Sequence, residues 1–110
     1  MPEGTEACVV LVTCASEEAA AALATALVEE RLAACGNILP GVRSIYRWQG
    51  AVQHDAEVLL LLKTVTPRLP ALSARIRELH AYDVPEVLAL SVLGGLQEYL
   101  AWIAESTNSG

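Results

Sequence analysis

The sequence predicts an α+β domain: one antiparallel sheet with helices on one face, built around a long central β-hairpin. Three observations lead there. Residues 7–13 (A-C-V-V-L-V-T) and 58–62 (V-L-L-L-L) are continuous apolar runs, the mark of strands covered by other structure. Gln49-Gly50 marks a turn joining two long segments, the first of them strictly alternating. Two amphipathic stretches, at 16–32 and 66–79, flank that hairpin with helical spacing.

Taken in order, the first strand runs from Ala7 to Thr13. Ser16 followed by Glu17 and Glu18 starts a helix, because a hydroxyl cap and early acids satisfy its free N–H groups and dipole. That helix continues to about Leu32, with Leu23 and Leu27 on its buried side, and Gly36 offers a helix exit or a bulge. Pro40-Gly41 kinks the start of the next strand, which alternates from Val42 to Trp48: Ser44, Tyr46 and Trp48 on one face, Arg43, Ile45 and Arg47 on the other. The return strand ends at Val65. Its arms span roughly 25–40 Å at about 3.3 Å per residue, and they leave edges that pairing between subunits would cover. Thr66-Pro67 opens a second helix, threonine as cap and proline where its missing N–H does no harm, with Leu69, Leu72, Ile76 and Leu79 as its buried stripe. The loop 80–86 leads to a strand over 87–92, and after Gly94-Gly95 a terminal helix carries Leu96, Tyr99, Leu100 and Ile103. The order β-α-β-β-α-β plus a terminal helix is that of a ferredoxin-like sandwich. One domain over 1–110 is expected, with 1–6 and 106–110 frayed.

Bulk properties narrow the function. A formal charge of −6 argues against nucleic acid, which needs a basic footprint, and is compatible with cationic ligands. No apolar run reaches the roughly 20 residues of a membrane helix, and the N-terminus lacks the pattern of a signal peptide. A soluble cytoplasmic protein is expected. Three cysteines (Cys8, Cys14, Cys35) without C-x-x-C spacing suit free thiols in a reducing compartment. Hydrophobic residues at 54% exceed what one small core uses, which points to a subunit interface. The chain has no phenylalanine; its five aromatics, Tyr46, Trp48, Tyr82, Tyr99 and Trp102, all carry a polar tip suited to pocket walls and interfaces.

Candidate chemistry is sparse. No phosphate loop, dinucleotide fingerprint, zinc-protease helix or nucleophile elbow occurs, so no enzyme is expected. Lys63, the only lysine, shares a strand face with Glu57, Leu59 and Leu61. Glu57 and Lys63 form a buried ion pair, or they line a cleft with Tyr46, Trp48, Tyr82 and Trp102 in which Lys63 meets an anion. Cys14 lies beside the N-terminus of the first helix, where the dipole favours thiolate, the form that binds soft metals; Cys35 is a weaker candidate. His80, Asp83 and Glu86 supply imidazole and carboxylate in one short loop, donors suited to Cu(II) or another divalent cation. The alternative for His80 is a helix C-terminal histidine stabilising the last carbonyls, and His54 reads as a solvated residue.

The segments R-L-A-A-C-G-N-I (31–38), S-I-Y-R-W-Q-G (44–50), E-V-L-L-L-L-K-T (57–64), H-A-Y-D-V-P-E-V (80–87) and G-G-L-Q-E-Y-L-A-W-I (94–103) together resemble the CutA divalent-cation tolerance proteins. The sequence departs from that family at Ala81 and Asp83, where the family shows His-Pro-Tyr-Glu, and at Gly95, often asparagine there. The resemblance implies a ferredoxin-like subunit, a homotrimer built by sheet-edge pairing, and binding of copper or other divalent cations linked to metal tolerance. It also implies likeness to the trimeric PII signalling proteins, with clefts between subunits; a second expectation is a PII-like sensor whose cleft holds a small anion near Lys63. An acylphosphatase-like hydrolase shares the fold but would need an arginine-rich phosphate loop absent here.

Overall fold

The computed structural model describes residues 5–108. The elements are β1 (Ala7–Cys14), α1 (Glu17–Glu29), β2 (Cys35–Trp48), β3 (Ala51–Val65), a 3₁₀ turn (Thr66–Arg68), α2 (Leu69–Leu79), β4 (Leu88–Ser91) and α3 (Gln97–Ser106). The sheet order is β2-β3-β1-β4, every pairing antiparallel, as a ferredoxin-like sandwich requires.

Period-two alternation divides the central strands. Val10, Val12 and Cys14 of β1 and Val58, Leu60 and Leu62 of β3 are buried against Leu23 and Leu27 of α1 and Leu72 and Ile76 of α2. The helix-facing Thr64 is also buried, and its hydroxyl donates to the Leu32 carbonyl at 2.7 Å, so a polar group enters the core without losing a partner. The other face of β3 carries Glu57, Leu59, Leu61 and Lys63, aligned with Leu39 and Asn37 of β2 and with Val9 and Leu11 of β1. On β4, Leu88 and Leu90 share that face and are 57% and 52% exposed. One side of the sheet is closed by the chain's own helices; the other stays largely open. Helix α3 meets the open side at one end, packing Ile103 against Ala7 and Val65.

Several turns follow the sequence directly. The Ser16 hydroxyl accepts from the Ala19 N–H at 3.0 Å and caps α1. Gln49 and Gly50 take φ of 51° and 81°, the paired left-handed geometry of a tight hairpin turn. The β2–β3 register shifts between Leu39 and Val42, where Gly41 has φ 82°, so Pro40-Gly41 is the expected kink.

Other expectations need correction. Helix α1 stops at Glu29, short of Leu32, because the chain turns at Arg31, whose φ is 61°. Gly36 is neither helix exit nor bulge but part of β2. A Cβ there would lie 3.1 Å from the Ala24 Cβ and from Leu60, and 3.2 Å from Leu62, so glycine permits the close approach of α1 to the sheet. Thr66 does not cap α2; its hydroxyl donates to the Glu6 carbonyl at 3.0 Å and ties the end of β3 to the start of β1. Leu79 is 42% exposed, leaving Leu72 and Ile76 as the buried stripe of α2. Neither end frays where it is described. The Thr5 hydroxyl donates to the Val92 carbonyl, and Thr107 is buried with its own carbonyl accepting from Arg68 Nε at 2.8 Å. The remainder of the expected frayed ends, 1–4 and 109–110, lies outside the described residues.

Gly36→Val should therefore destabilise the fold by about 1–3 kcal/mol through overpacking. Urea unfolding would register this as a lower midpoint at an unchanged slope.

Candidate functional site

A groove of about 910 Å³ lies between the β2–β3 hairpin and the 81–86 loop. Hairpin geometry supplies one wall. Ser44 pairs with Asp55 and Tyr46 with Gln53, so after the Pro40-Gly41 kink Ser44, Tyr46 and Trp48 share a face with Asp55 and Glu57. The Tyr46 hydroxyl donates to Asp55 Oδ2. The other wall is the loop, and Tyr82 joins the two, its hydroxyl donating to Glu57 Oε2 at 2.7 Å. Burial, then that hydrogen bond and the charge of Glu57, hold the Tyr82 phenol well above the usual tyrosine range. The hydrogen bond to Asp55 raises Tyr46 in the same direction. Both phenols thus remain neutral donors.

His80 holds the loop in place. Its Nε2 lies 2.8 Å from the Thr13 carbonyl, which can only accept, and its Nδ1 accepts from the Tyr82 N–H at 3.1 Å. These contacts fix the neutral tautomer with the proton on Nε2. The ring also stands 4.5 Å from that of Tyr82, centroid to centroid. The His80 backbone N–H caps α2 by donating to the Ile76 carbonyl at 2.8 Å, whereas the ring bonds Thr13 and Tyr82 rather than the helix, so a metal at His80 would have to displace one of those two contacts.

The expected cleft residues fall into two groups. Tyr46, Trp48, Glu57 and Tyr82 come together at the groove, whereas Lys63 and Trp102 do not line it. Glu57 and Lys63 are not an ion pair within the chain; they stand six positions apart on one strand, about 20 Å at roughly 3.3 Å per residue. Lys63 Nζ donates instead to Asn37 Oδ1 on the neighbouring strand. Among the described residues the ion pairs are Arg75 with Glu30 and with Glu78, so the Lys63 ammonium meets no carboxylate there. Opposite Lys63 in the register stands Cys35, whose sulfur is 3.7 Å from the Tyr99 hydroxyl, and Tyr99 lies 5.4 Å from Trp102, ring to ring.

The expected metal donors His80, Cys14, Asp83, Glu86 and Cys35 are not assembled in one copy. Among the described residues no three His, Cys, Asp or Glu side chains are placed to hold a metal ion. Cys14 is 2% exposed on the helix-facing side, and burial, then the charge of Glu57, raises its thiol pKa. Desolvation therefore outweighs the helix dipole, and the expected thiolate is not favoured. Cys35 belongs to the Lys63 group, while Asp83 and Glu86 belong to the groove.

The family of this fold is settled by sequence. Residues 8–106 match the model of the CutA1 divalent ion tolerance protein. The chain belongs to that family. A relative named divalent-cation tolerance protein CutA, from Thermus thermophilus, is 58% identical over 99 residues, 90% of this chain and 96% of its own length. The chloroplastic protein CutA of Arabidopsis thaliana is 48% identical over 101 residues, 92% of this chain but only 56% of its own length. The solved structure of the Thermus thermophilus divalent cation tolerance protein superposes with a TM-score of 0.90 at 56% identity, covering 93% of this chain and 99% of that one. CutA of Xylella fastidiosa gives 0.91 at 39% identity, covering 94% and 100%. No helix among the described residues is long and apolar enough to cross a membrane.

Within this member of the CutA1 family, two polar contacts escaped the sequence reading. Asp55, given no role in the sequence, lies by alternation from Glu57 on the groove face, cross-strand from Ser44. Asn37 carried no role in the sequence; the β2–β3 register places its amide beside Lys63.

Tyr82→Phe removes the donor to the Glu57 carboxylate, and a loss of about 1–2 kcal/mol is expected for a hydrogen bond to a charged group. The pH dependence has a definite sign. A folded tyrosine pKa above the unfolded value of about 10 contributes stability that is complete below pH 10 and is lost as pH rises through the folded value. Thermal unfolding from neutral pH to pH 11 should fall more steeply for the parent protein than for Tyr82→Phe.

Proposed function

We propose that this chain works as a divalent-cation tolerance protein: a cytoplasmic homotrimer that binds copper or another divalent cation in the response to metal ions. Family membership carries the reading. Trimerisation gains support from the apolar surface one copy leaves uncovered. Leu88 and Leu90 on the open face join Leu93 and Leu96, at 87% and 70% exposure, and the 14-residue β2 forms an unpaired sheet edge. Such a surface is the kind that oligomers bury, commonly more than about 2,000 Å² in obligate assemblies. Because no three donors converge in the described part of one copy, metal coordination in this reading draws His80, Cys14, Asp83, Glu86 or Cys35 together with groups of a neighbouring copy. Free thiols at Cys8, Cys14 and Cys35 fit a reducing compartment.

Lys63 favours a second reading. Lys63, a half-buried residue between Val9 and Cys35 in the register, has an amide oxygen rather than a carboxylate as the partner of its ammonium. A PII-like sensor trimer holding a small anion at Lys63, in a cleft between subunits, would use that uncompensated charge.

Sedimentation at micromolar concentration should give a single threefold species; a stable folded monomer would contradict the trimer. Calorimetry with Cu(II) should show binding that weakens as pH falls through about 6.5, where imidazole gains its proton. If a metal displaces the contacts that His80 and Cys14 make within one copy, the double variant His80→Ala/Cys14→Ser should abolish that binding and keep the trimer, and unchanged affinity would remove those two residues from the site. If the anion reading holds, Lys63→Met should abolish nucleotide binding while Cu(II) binding persists.

A further inference from the structure

We propose that the Tyr82 main chain holds His80 in a self-inhibited state, and that ligation of His80 releases the 81–86 loop from the hairpin. The proposal rests on the metal reading and adds to it a change of shape that reports a bound cation. It begins with a chain of contacts. The Thr13 carbonyl of β1 lies 2.8 Å from His80 Nε2, and His80 Nδ1 accepts from the Tyr82 N–H at 3.1 Å. The Tyr82 hydroxyl then donates to Glu57 of β3 at 2.7 Å. One imidazole and one phenol therefore tie the loop to two strands of the sheet.

The tautomer decides which contact must yield. Thr13 offers a carbonyl, so the ring proton sits on Nε2 and the in-plane lone pair on Nδ1. A metal ligand needs that lone pair, and the Tyr82 N–H occupies it. The two uses exclude each other. A bond from the second ring N–H to a backbone carbonyl, by contrast, is the outer contact that orients metal-ligating histidines. Ligation through Nδ1 thus costs the Tyr82 contact and keeps the Thr13 contact.

The loop, rather than the ring, is the part that moves. The His80 main-chain N–H donates to the Ile76 carbonyl at 2.8 Å, and Thr13 holds the ring, so His80 is anchored twice. Among the described residues, the hydrogen bonds that hold 81–86 are the two made by Tyr82. Without His80 as acceptor, the part-buried Tyr82 N–H needs another partner, and a turn of the loop toward water provides one. That turn pulls against the phenol bond to Glu57. A hollow of about 250 Å³, lined by Cys14, His80, Tyr82 and alanines of α1, leaves room beside the ring and brings a second candidate ligand, Cys14, to the same place.

Calorimetry with Cu(II) on the full chain measures binding, and hydrogen exchange by mass spectrometry over residues 80–86 measures release. Saturation with Cu(II) should speed exchange of the Tyr82 amide by about tenfold or more. In His80→Ala the same amide should exchange fast with or without Cu(II). Reciprocity gives a second arm: weakening the loop's hold on Glu57 should tighten Cu(II) binding. Tyr82→Phe should raise the affinity about fivefold. Glu57→Gln should raise it too, although it removes a carboxylate, whereas simple attraction of a cation to acidic groups predicts a fall. Glu30→Gln, at the far end of α1, removes the same charge away from the loop and should leave the affinity unchanged. Cu(II) binding with the Tyr82 amide still protected would overturn the proposal and leave the metal reading standing; absence of Cu(II) binding would overturn both. Weaker Cu(II) binding by Glu57→Gln would overturn the coupling as well.

Discussion

Strand β3 carries two chemically different faces, and the fold hangs on keeping them apart. Val58, Leu60, Leu62 and Thr64 turn toward α1 and α2, while Glu57, Leu59, Leu61 and Lys63 turn away. A one-residue slip would send a glutamate and a lysine into the helix-facing core and four buried side chains out of it. Two devices hold the register. The Gln49-Gly50 turn fixes the hairpin at one end, and the Thr64 hydroxyl, bound to the Leu32 carbonyl, fixes it at the other. The β1 partner repeats the division, and Gly36 of β2 lets α1 settle close to Leu60 and Leu62 of β3.

What could be read from sequence follows from how local the cause is. Ser16 caps its helix through an atom three residues away, and Gln49-Gly50 turns through its own dihedral angles; both are legible without the rest of the chain. Gly36 and Thr66 were misread because their reasons are distant. One makes room for Ala24, and the other bonds the Glu6 carbonyl some sixty positions away. The candidate site divides in the same way. Alternation brought Tyr46, Trp48 and Glu57 together, but the separation of Lys63 from Glu57 was a matter of strand length that a face-sharing argument ignores. For Cys14, proximity to a helix N-terminus was visible and burial was not, and burial wins.

The charges left over are the functional content. Glu57 ends on a phenol and Lys63 on an amide oxygen, so neither meets its opposite within the described chain. They stand at opposite ends of one open, leucine-rich face that also takes in Leu88 and Leu90. Closing that face with a second copy would cover the leucines and enclose Lys63. The tolerance reading needs such neighbours to complete a metal site, whereas the groove has its four carboxylates and its aromatic walls within one chain.

One face of the sheet is closed by the chain's own helices, and on the proposed reading further copies of the chain close the other. Leu90→Asp tests it most directly, since Leu90 is 52% exposed in one copy and touches no part of the helix-facing core. On a free surface the substitution should change stability by only about 0.5 kcal/mol. At a subunit interface it buries an unpaired carboxylate. Sedimentation of Leu90→Asp should then show dissociation at concentrations where the parent stays assembled, with helix content by circular dichroism retained. Identical sedimentation of variant and parent would contradict the account.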